Sequence, residues 1–174
     1  VNISNAGVGS SSYLIAALFA NAAGIKVTQV AYKGAGPALV DVIGGQVDGM
    51  FDQTNTALPQ IQQKKVKALA VTSKVRLPQL KDVPTLSETV IPGFEASTWY
   101  GIYAPKGTPK AMLDKVQNAY LHVMKDKDYT GKMAAQAIQL LPEKDYLGAA
   151  LAQHTEAEVA RWRAVAAKSG LTLE

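Results

Sequence analysis

Apolar positions in the first half of the chain alternate between strand-like and helix-like spacing. Val1-Asn2-Ile3-Ser4 runs straight into Asn5-Ala6-Gly7, a strand stub entering a loop with nothing before it, as though the chain begins inside a fold. Ser10 to Ala23 predicts a helix: Leu14 and Leu18 stand four apart, and Ile15, Phe19 and Ala22 form a neighbouring stripe. Gly24 is placed to end it. Val27 to Tyr32 is rich in β-branched residues and predicts a strand. Pro37 is placed to open a second helix, with Leu39, Val40 and Ile43 as its apolar face and Gly44-Gly45 as its stop. A short strand at Asp48 to Asp52 follows, then a short helix capped by Thr54 or Asn55 and ending near Gln63. Val66 to Thr72 predicts a further strand, and its run Ala68-Leu69-Ala70-Val71 has the unbroken apolar character of a buried parallel one. Alternation of this kind predicts an α/β fold with a mostly parallel sheet.

From Leu77 the pattern changes. Pro78, Pro84, Pro92 and Gly93 break residues 77–93 into a turn-rich connection around one short helix near Thr85 to Thr89. Ser97 to Tyr103 predicts a strand, and the regional boundary is placed there. Beyond it the chain is mainly helical. Thr108 and Pro109 cap and open a helix with Met112, Val116, Ala119, Tyr120 and Val123 on one face. A shorter helix is expected from Asp128 to Ala137, then a strand-like Ile138-Gln139-Leu140-Leu141. A long helix from Glu143 to Lys168 turns Leu147, Leu151, Val159, Trp162 and Val165 inward, with Gly170 as its stop. The organisation is therefore residues 1–98, a connection at 99–107, and a helical part at 108–174.

Composition narrows the function. The 174 residues are 48% hydrophobic and carry a formal charge of +4, which is ordinary globular composition. The lysines are scattered, with no basic face beside groove-reading or aromatic elements, so nucleic acid is not an expected partner. A mild positive field favours small anions. Without cysteine there are no disulfides and no thiolate metal sites. No apolar run is long enough to span a bilayer, and no basic-then-apolar leader occurs within this sequence.

Three loops could carry chemistry. Gly7-Val8-Gly9-Ser10-Ser11-Ser12 lies between a strand and a helix. Helix N-termini leave N–H groups unpaired and carry partial positive charge, glycines let a ligand approach the backbone, and serines add hydroxyl donors. That suits a carboxylate, phosphate or sulfate; it equally suits a serine cap after a tight turn. A Walker loop is excluded because no lysine follows the last glycine, and the dinucleotide fingerprint fails because Ser12 stands where its third glycine belongs. The nucleophile elbow G-x-S-x-G is absent, the order here being G-x-G-S. Tyr32-Lys33-Gly34-Ala35-Gly36-Pro37 repeats the strand, glycine loop and helix, with Lys33 adding charge or simply lying solvated on the surface. Asp52-Gln53-Thr54-Asn55-Thr56 is a third strand end, able to bind the distal part of a ligand or merely cap a helix. In a parallel sheet all three open at one edge, where ligands bind in such folds. His122 and His154 fit surface or interface positions, Trp99 and Tyr100 fit either a cleft or a core, and Asp114, Asp126 and Asp128 fit solvated helix ends. No paired carboxylates, metal cluster or nucleophile–base pair stands out, so neither a cofactor nor catalysis is expected.

Several stretches, in order, carry a resemblance to the Bug family of extracytoplasmic solute receptors, the TctC-like binding subunits of tripartite tricarboxylate transporters. They are Ala6-Gly7-Val8-Gly9-Ser10, Tyr32 to Ala38, Gly44-Gly45-Gln46-Val47-Asp48, Ala68 to Ser73, Asp82-Val83-Pro84-Thr85, Trp99-Tyr100-Gly101 and Ala104 to Pro109. The resemblance implies a type II-like periplasmic binding protein whose two lobes close on a small carboxylate, working with the membrane components of its transporter. It implies that residues 1–98 are the second lobe, 99–107 a hinge strand and connection, and 108–174 helices that complete the first lobe. Most of that first lobe, with the signal peptide, would precede Val1. Gly7, Val8, Gly9, Ser10 and Ser11 become the carboxylate loop, with Lys33, Gly34, Ala35 and Gly36 beside it and Asp52, Thr54 and Asn55 further along. Leu141 departs from the family, which tends to place a small hydroxyl cap before the last helix. With its usual cover missing, the stripes Met112, Val116, Tyr120 and Leu151, Trp162, Val165 are expected either to drive homo-oligomerisation or to fold back on the same lobe. The alternatives to a receptor are a small α/β enzyme using the glycine-serine loop as an oxyanion or phosphate site, and a non-functional oligomerising fragment.

Overall fold

A computed structural model describes residues 1–145 and 147–169. Strand β1 (Asn2–Asn5) lies at the centre of a three-stranded parallel sheet, between β2 (Thr28–Ala31) and β3 (Gly49–Met50). Asn5 pairs with Ala31 and Ser4 with Met50, so the loops after all three strands leave the same edge. Helix α1 (Ser11–Ala23) connects β1 to β2, and α2 (Ala35–Ile43) connects β2 to β3 on the far side of β1. That reversal makes a crevice beside the C-terminal end of β1. Ser4 and Asn5 are fully buried and both are partnered: Ser4 Oγ lies 3.3 Å from the Ala38 carbonyl, and Asn5 Nδ2 donates to Gln29 Oε1 at 3.1 Å.

Contacts divide the chain into two units, Val1–Thr98 with the chain from Val159 onward, and Trp99–Glu158. In the first, Ile15, Leu86, Phe94 and Ala96 form the core, with Phe19, Phe51, Ala70 and Trp162 packed on it. Phe19 meets Phe51 at 5.3 Å between ring centroids and Phe94 edge-on at 6.3 Å. Helix α3 (Thr54–Gln62) follows β3, and α4 (Leu86–Thr89) sits in the proline-rich connection. In the second unit are α5 (Lys110–Val123) and α6 (Lys127–Ala135), the latter capped by Asp126, whose carboxylate accepts from the Tyr129 amide at 2.8 Å. Helix α7 (Ala149–Ser169) begins in this unit and ends in the first. There the Trp162 ring joins the core, Ala166 is buried and the Arg161 guanidinium donates to the Glu95 carbonyl. Trp162 therefore packs on the core of the first unit and Val165 is half-buried, while Met112 and Val116 stay exposed.

Several expected elements differ, each for a local reason. Helix α2 starts at Ala35, two residues before Pro37; a proline in the first turn removes only an N–H that has no helical partner anyway. Ala38 and Leu39 are its buried residues, and Val40 and Ile43 face solvent. Gln53, not Thr54 or Asn55, caps α3, because its carbonyl accepts the Thr56 and Ala57 amides at 3.2 and 3.0 Å. Thr108 does not cap α5: its hydroxyl turns back to the Pro105 carbonyl at 2.8 Å, and Pro109 takes the cap position. Helix α7 begins at Ala149, not Glu143; residues 143–145 form a separate 3-10 turn, and Gly148 at φ 51° leaves the right-handed helical region. Val159 lies exposed rather than inward. The expected end of α7 at Gly170 lies outside the described residues.

No ladder forms at residues 66–72, 97–103 or 138–141. A strand requires a neighbouring edge, and the apolar run at 68–71 meets one only at Val71, which bridges Thr85. Leu69, expected inside, is 75% exposed.

Thr85 closes the connection onto the core. It is fully buried, and its hydroxyl accepts the Glu88 amide at 3.0 Å while the Glu88 carboxylate accepts the Thr85 amide at 2.7 Å. Thr85→Ala is expected to lower the unfolding free energy by about 1 kcal/mol, read from denaturant titration. The Thr85 backbone N–H, and next Arg76, hold the Glu88 carboxyl below the usual range. The stabilisation is thus complete above the unfolded-state pKa and disappears as pH falls through the lowered value; Thr85→Ala keeps the backbone N–H and Arg76, so parent and variant lose it alike in acid.

Candidate functional site

The three strand-end loops converge at the crevice. After β1 the chain turns through Gly7 at φ 122° and Gly9 at φ 78°, a region that side-chain-bearing residues rarely occupy. A Cβ on Gly7 would also stand 3.3 Å from the Tyr32 carbonyl, so this glycine lets the first loop lie against the second. Asn5 Oδ1 accepts the Gly7 amide at 3.0 Å and holds the turn in place.

The start of α1 is partly self-satisfied. Ser10 is the N-cap: its Oγ accepts from the Tyr13 amide at 3.3 Å and lies 2.6 Å from the Gly7 carbonyl. Ser12 Oγ accepts from the Ala6 amide at 2.9 Å and sits 3.0 Å from Ser10 Oγ. The backbone N–H groups of Val8, Gly9, Ser11 and Ser12 have no hydrogen-bond partner among the described residues. These are the donors that a helix start leaves over, at the positive end of its dipole.

A cavity of about 100 Å³ opens here. Ala6, Ser11, Ser12 and Ile15 line it from the β1–α1 side, Ala35 from the start of α2, and Phe51, Asp52, Gln53 and Thr56 from the β3–α3 turn, with Thr72 and Thr98 completing the wall. Gln53 Nε2 reaches Ser11 Oγ at 3.5 Å, spanning from the third loop to the first. Among the described residues, Asp52 is the only ionisable one of the lining. Burial pushes its carboxyl above the usual range, against a 2.7 Å hydrogen bond from the Thr56 hydroxyl and one from the Gln53 backbone that pull the other way.

Of the residues singled out from the sequence, the cavity brings together Ser11, Ala35 and Asp52. Gly7, Val8, Gly9 and Ser10 build the turn and cap behind it without lining it. Lys33 lies exposed on the surface, Gly34 is the N-cap position of α2 at φ 117°, and Gly36 lies exposed in that helix's first turn. Thr54 is half-buried and Asn55 exposed in the first turn of α3, neither on the cavity wall. Thr72 and Thr98 are not among the residues singled out; Thr72 ends one strand-like run and Thr98 lies at the start of another. Ser12, Gln53 and Thr56 belong to the first and third loops read from the sequence, and Ala6, Ile15 and Phe51 flank those loops. His122 and His154 are exposed, and the His154 ring packs edge-on to Trp99 at 4.8 Å. Tyr100 is also exposed, so it is neither a core nor a cavity-lining residue. Among the described residues no group of three histidines or carboxylates is placed to hold a metal, and no helix is long and apolar enough to cross a membrane.

Comparison with known proteins places this architecture. Residues 1–171 match the family described as the tripartite tricarboxylate transporter family receptor. An Agrobacterium vitis protein of the UPF0065 group, from the ttuE-ttuC' intergenic region, is 38% identical over 98% of this chain and 49% of its own length. Protein BugT of Bordetella pertussis is 30% identical over 96% of the chain and 50% of its own length. The chain thus spans about half the length of the curated relatives it matches. Among solved structures, the periplasmic binding protein BugD superposes with a TM-score of 0.90 at 36% identity, over 98% of this chain and 57% of that one. MatC of Rhodopseudomonas palustris, solved with bound malate, gives 0.85 at 34% over 95% and 56%. An R. palustris protein solved with adipate gives 0.87 at 28% over 99% and 56%.

Proposed function

The chain belongs to the tripartite tricarboxylate transporter receptor family, and from that premise we propose that it captures a small carboxylate for transport and performs no chemistry on it. The observation that carries this reading is the pair of unpartnered amides at Ser11 and Ser12, on a helix start that lines a cavity. A carboxylate there replaces water on donors that the fold has already oriented, so little reorganisation opposes binding. The loop from Gly7 to Ser10 sets the approach of that helix start, and Lys33 contributes field rather than contact. The malate and adipate in two related structures support the ligand class.

In the same reading, residues 1–98 supply one lobe of a two-lobed receptor, 99–107 the connection, and the helices between 108 and 158 part of the other lobe, the end of α7 belonging with the first unit. The change of unit between Thr98 and Trp99 supports a boundary there. The site of action is the periplasm, and the partners are the membrane components of the transporter.

A thermal-shift screen against mono-, di- and tricarboxylates, aromatic acids and amino acids tests the reading. A ligand present at a hundred times its Kd adds about 2.7 kcal/mol, a rise in Tm of roughly 5–10 °C for a domain of this size. The expected result is such a rise with at least one carboxylate, none with its amide, and the ligand recovered unchanged. No shift across the panel, or conversion of the ligand, would overturn the proposal.

A further inference from the structure

The cavity combines two kinds of wall that do not belong together in a site for a bare anion. On one side, Ser11 and Ser12 present the donor end of α1; on the other stands the Asp52 carboxylate, which in its ionised form can only accept. Gln53 Nε2 reaches Ser11 Oγ across the gap, so the two walls are near neighbours. Two hydrogen bonds to Asp52 are identified, from Thr56 and the Gln53 backbone. A carboxylate offers about four acceptor positions, which leaves capacity for a donor that the ligand brings.

Proximity sharpens the point. The walls at Ser11 and Ser12 and at Asp52 face one volume of about 100 Å³, and Gln53, the residue after Asp52, reaches Ser11 Oγ at 3.5 Å. The atoms adjoining a carboxylate held at Ser11 and Ser12 are therefore the ones nearest Asp52. A plain methylene there would place two carboxylates in a confined space with nothing between them, an arrangement that like-charge repulsion opposes. A hydroxyl or ammonium on the adjoining carbon instead donates to Asp52 and separates the charges.

Resting on the carboxylate-receptor reading, we infer that Asp52 determines specificity: it selects acids that carry a hydrogen-bond donor, a hydroxyl or an ammonium, on the carbon next to the bound carboxylate. The burial of Asp52 strengthens the selection, because a desolvated carboxylate gains more from a donor than a solvated one does. Ser11, Ser12, Gln53, Thr56, Thr72 and Thr98, the other polar side chains of the lining, are all neutral, so none offsets the Asp52 charge.

Succinate, L-malate and L-aspartate share one four-carbon skeleton and differ only at the second carbon, which bears hydrogen, hydroxyl or ammonium. Calorimetric titration of the full-length protein with each is expected to rank malate or aspartate at least about tenfold tighter than succinate. Asp52→Asn is expected to bring the three within about threefold of each other, mainly by weakening the donor-bearing acid. Asp52→Ser serves as a second neutral replacement should the first variant fold poorly. Succinate binding as tightly as the better of the other two in the parent protein overturns this inference while leaving the receptor reading intact. A preference that survives both replacements overturns it as well. Absence of binding by any mono-, di- or tricarboxylate or amino acid overturns the receptor reading itself, and this inference with it.

Discussion

Phe94→Ala is expected to lower the unfolding free energy by about 3–5 kcal/mol, the range for emptying a large aromatic from a packed core. Phe94 is buried at the centre of the cluster of Ile15, Leu86 and Ala96, and its ring meets Phe19 edge-on. Its neighbours come from α1, the proline-rich connection and the end of α7, so they cannot all collapse into the void together. Native domains hold only about 5–15 kcal/mol in total, which makes this loss a large fraction of the whole. Urea titration followed by circular dichroism should show a lower midpoint with an unchanged slope. Met112→Ala, at a residue 62% exposed, is the control and should move the free energy by no more than about 0.5 kcal/mol. A loss below about 1 kcal/mol at Phe94 would mean that the cluster is not what holds the unit together.

The cluster also reaches the site. Ile15 belongs to the core and to the cavity wall, and Phe51, packed on that core, immediately precedes Asp52. The stability of the unit and the shape of the cavity therefore share side chains. Loosening Phe94 should disturb ligand binding without touching any group that contacts the ligand.

What the sequence made legible divides along the same physical line. The β1–α1–β2–α2–β3 alternation could be read because each element carries its own signal: Ser10 and Gly24 bracket α1, β-branched residues mark β2, and glycines at positive φ occupy the turns. The run at 68–71 could not be read correctly because a strand is a property of pairs. Its composition satisfies the requirement for a buried strand, but only Val71 has an edge to pair with. The helices of the second unit were placed to within a few residues except for α7, where Gly148 overrides the apolar periodicity that extended it toward Glu143.

The candidate site was legible as three loops but not as a cavity. Sequence spacing identifies which loops open at the sheet edge; it does not say which residues of each loop face inward. Ser11 was singled out with Ser10, yet Ser10 spends its hydroxyl on the helix while Ser11 reaches the cavity. Thr54 and Asn55 are the expected caps, but the cap is Gln53, and it is Thr56 whose hydroxyl reaches Asp52. Thr72 and Thr98 arrive from distant segments, which the hydrogen bond donated by the Ala96 amide to the Thr72 carbonyl, at 2.9 Å, ties together.

Ser11→Pro is expected to weaken carboxylate binding by about 10- to 100-fold while leaving the fold intact. Ser11 is the first residue of α1, where proline fits because the N–H it removes has no helical partner. Ser10 before it has φ −68° and ψ 159°, the extended backbone that a following proline requires. The Ser10 cap to Tyr13 does not involve the changed residue. What the substitution removes is one amide donor and one hydroxyl from the cavity wall. A hydrogen bond to a charged group contributes about 1.5–3 kcal/mol, which sets the expected loss of affinity. Ser11→Ala separates the two groups, since it removes the hydroxyl and keeps the amide; its affinity should fall less than that of the proline variant. Thermal unfolding of the ligand-free proteins should coincide within about 0.5 kcal/mol. If the proline variant binds carboxylates as tightly as the parent while unfolding at the same temperature, the anion is not held at this helix start.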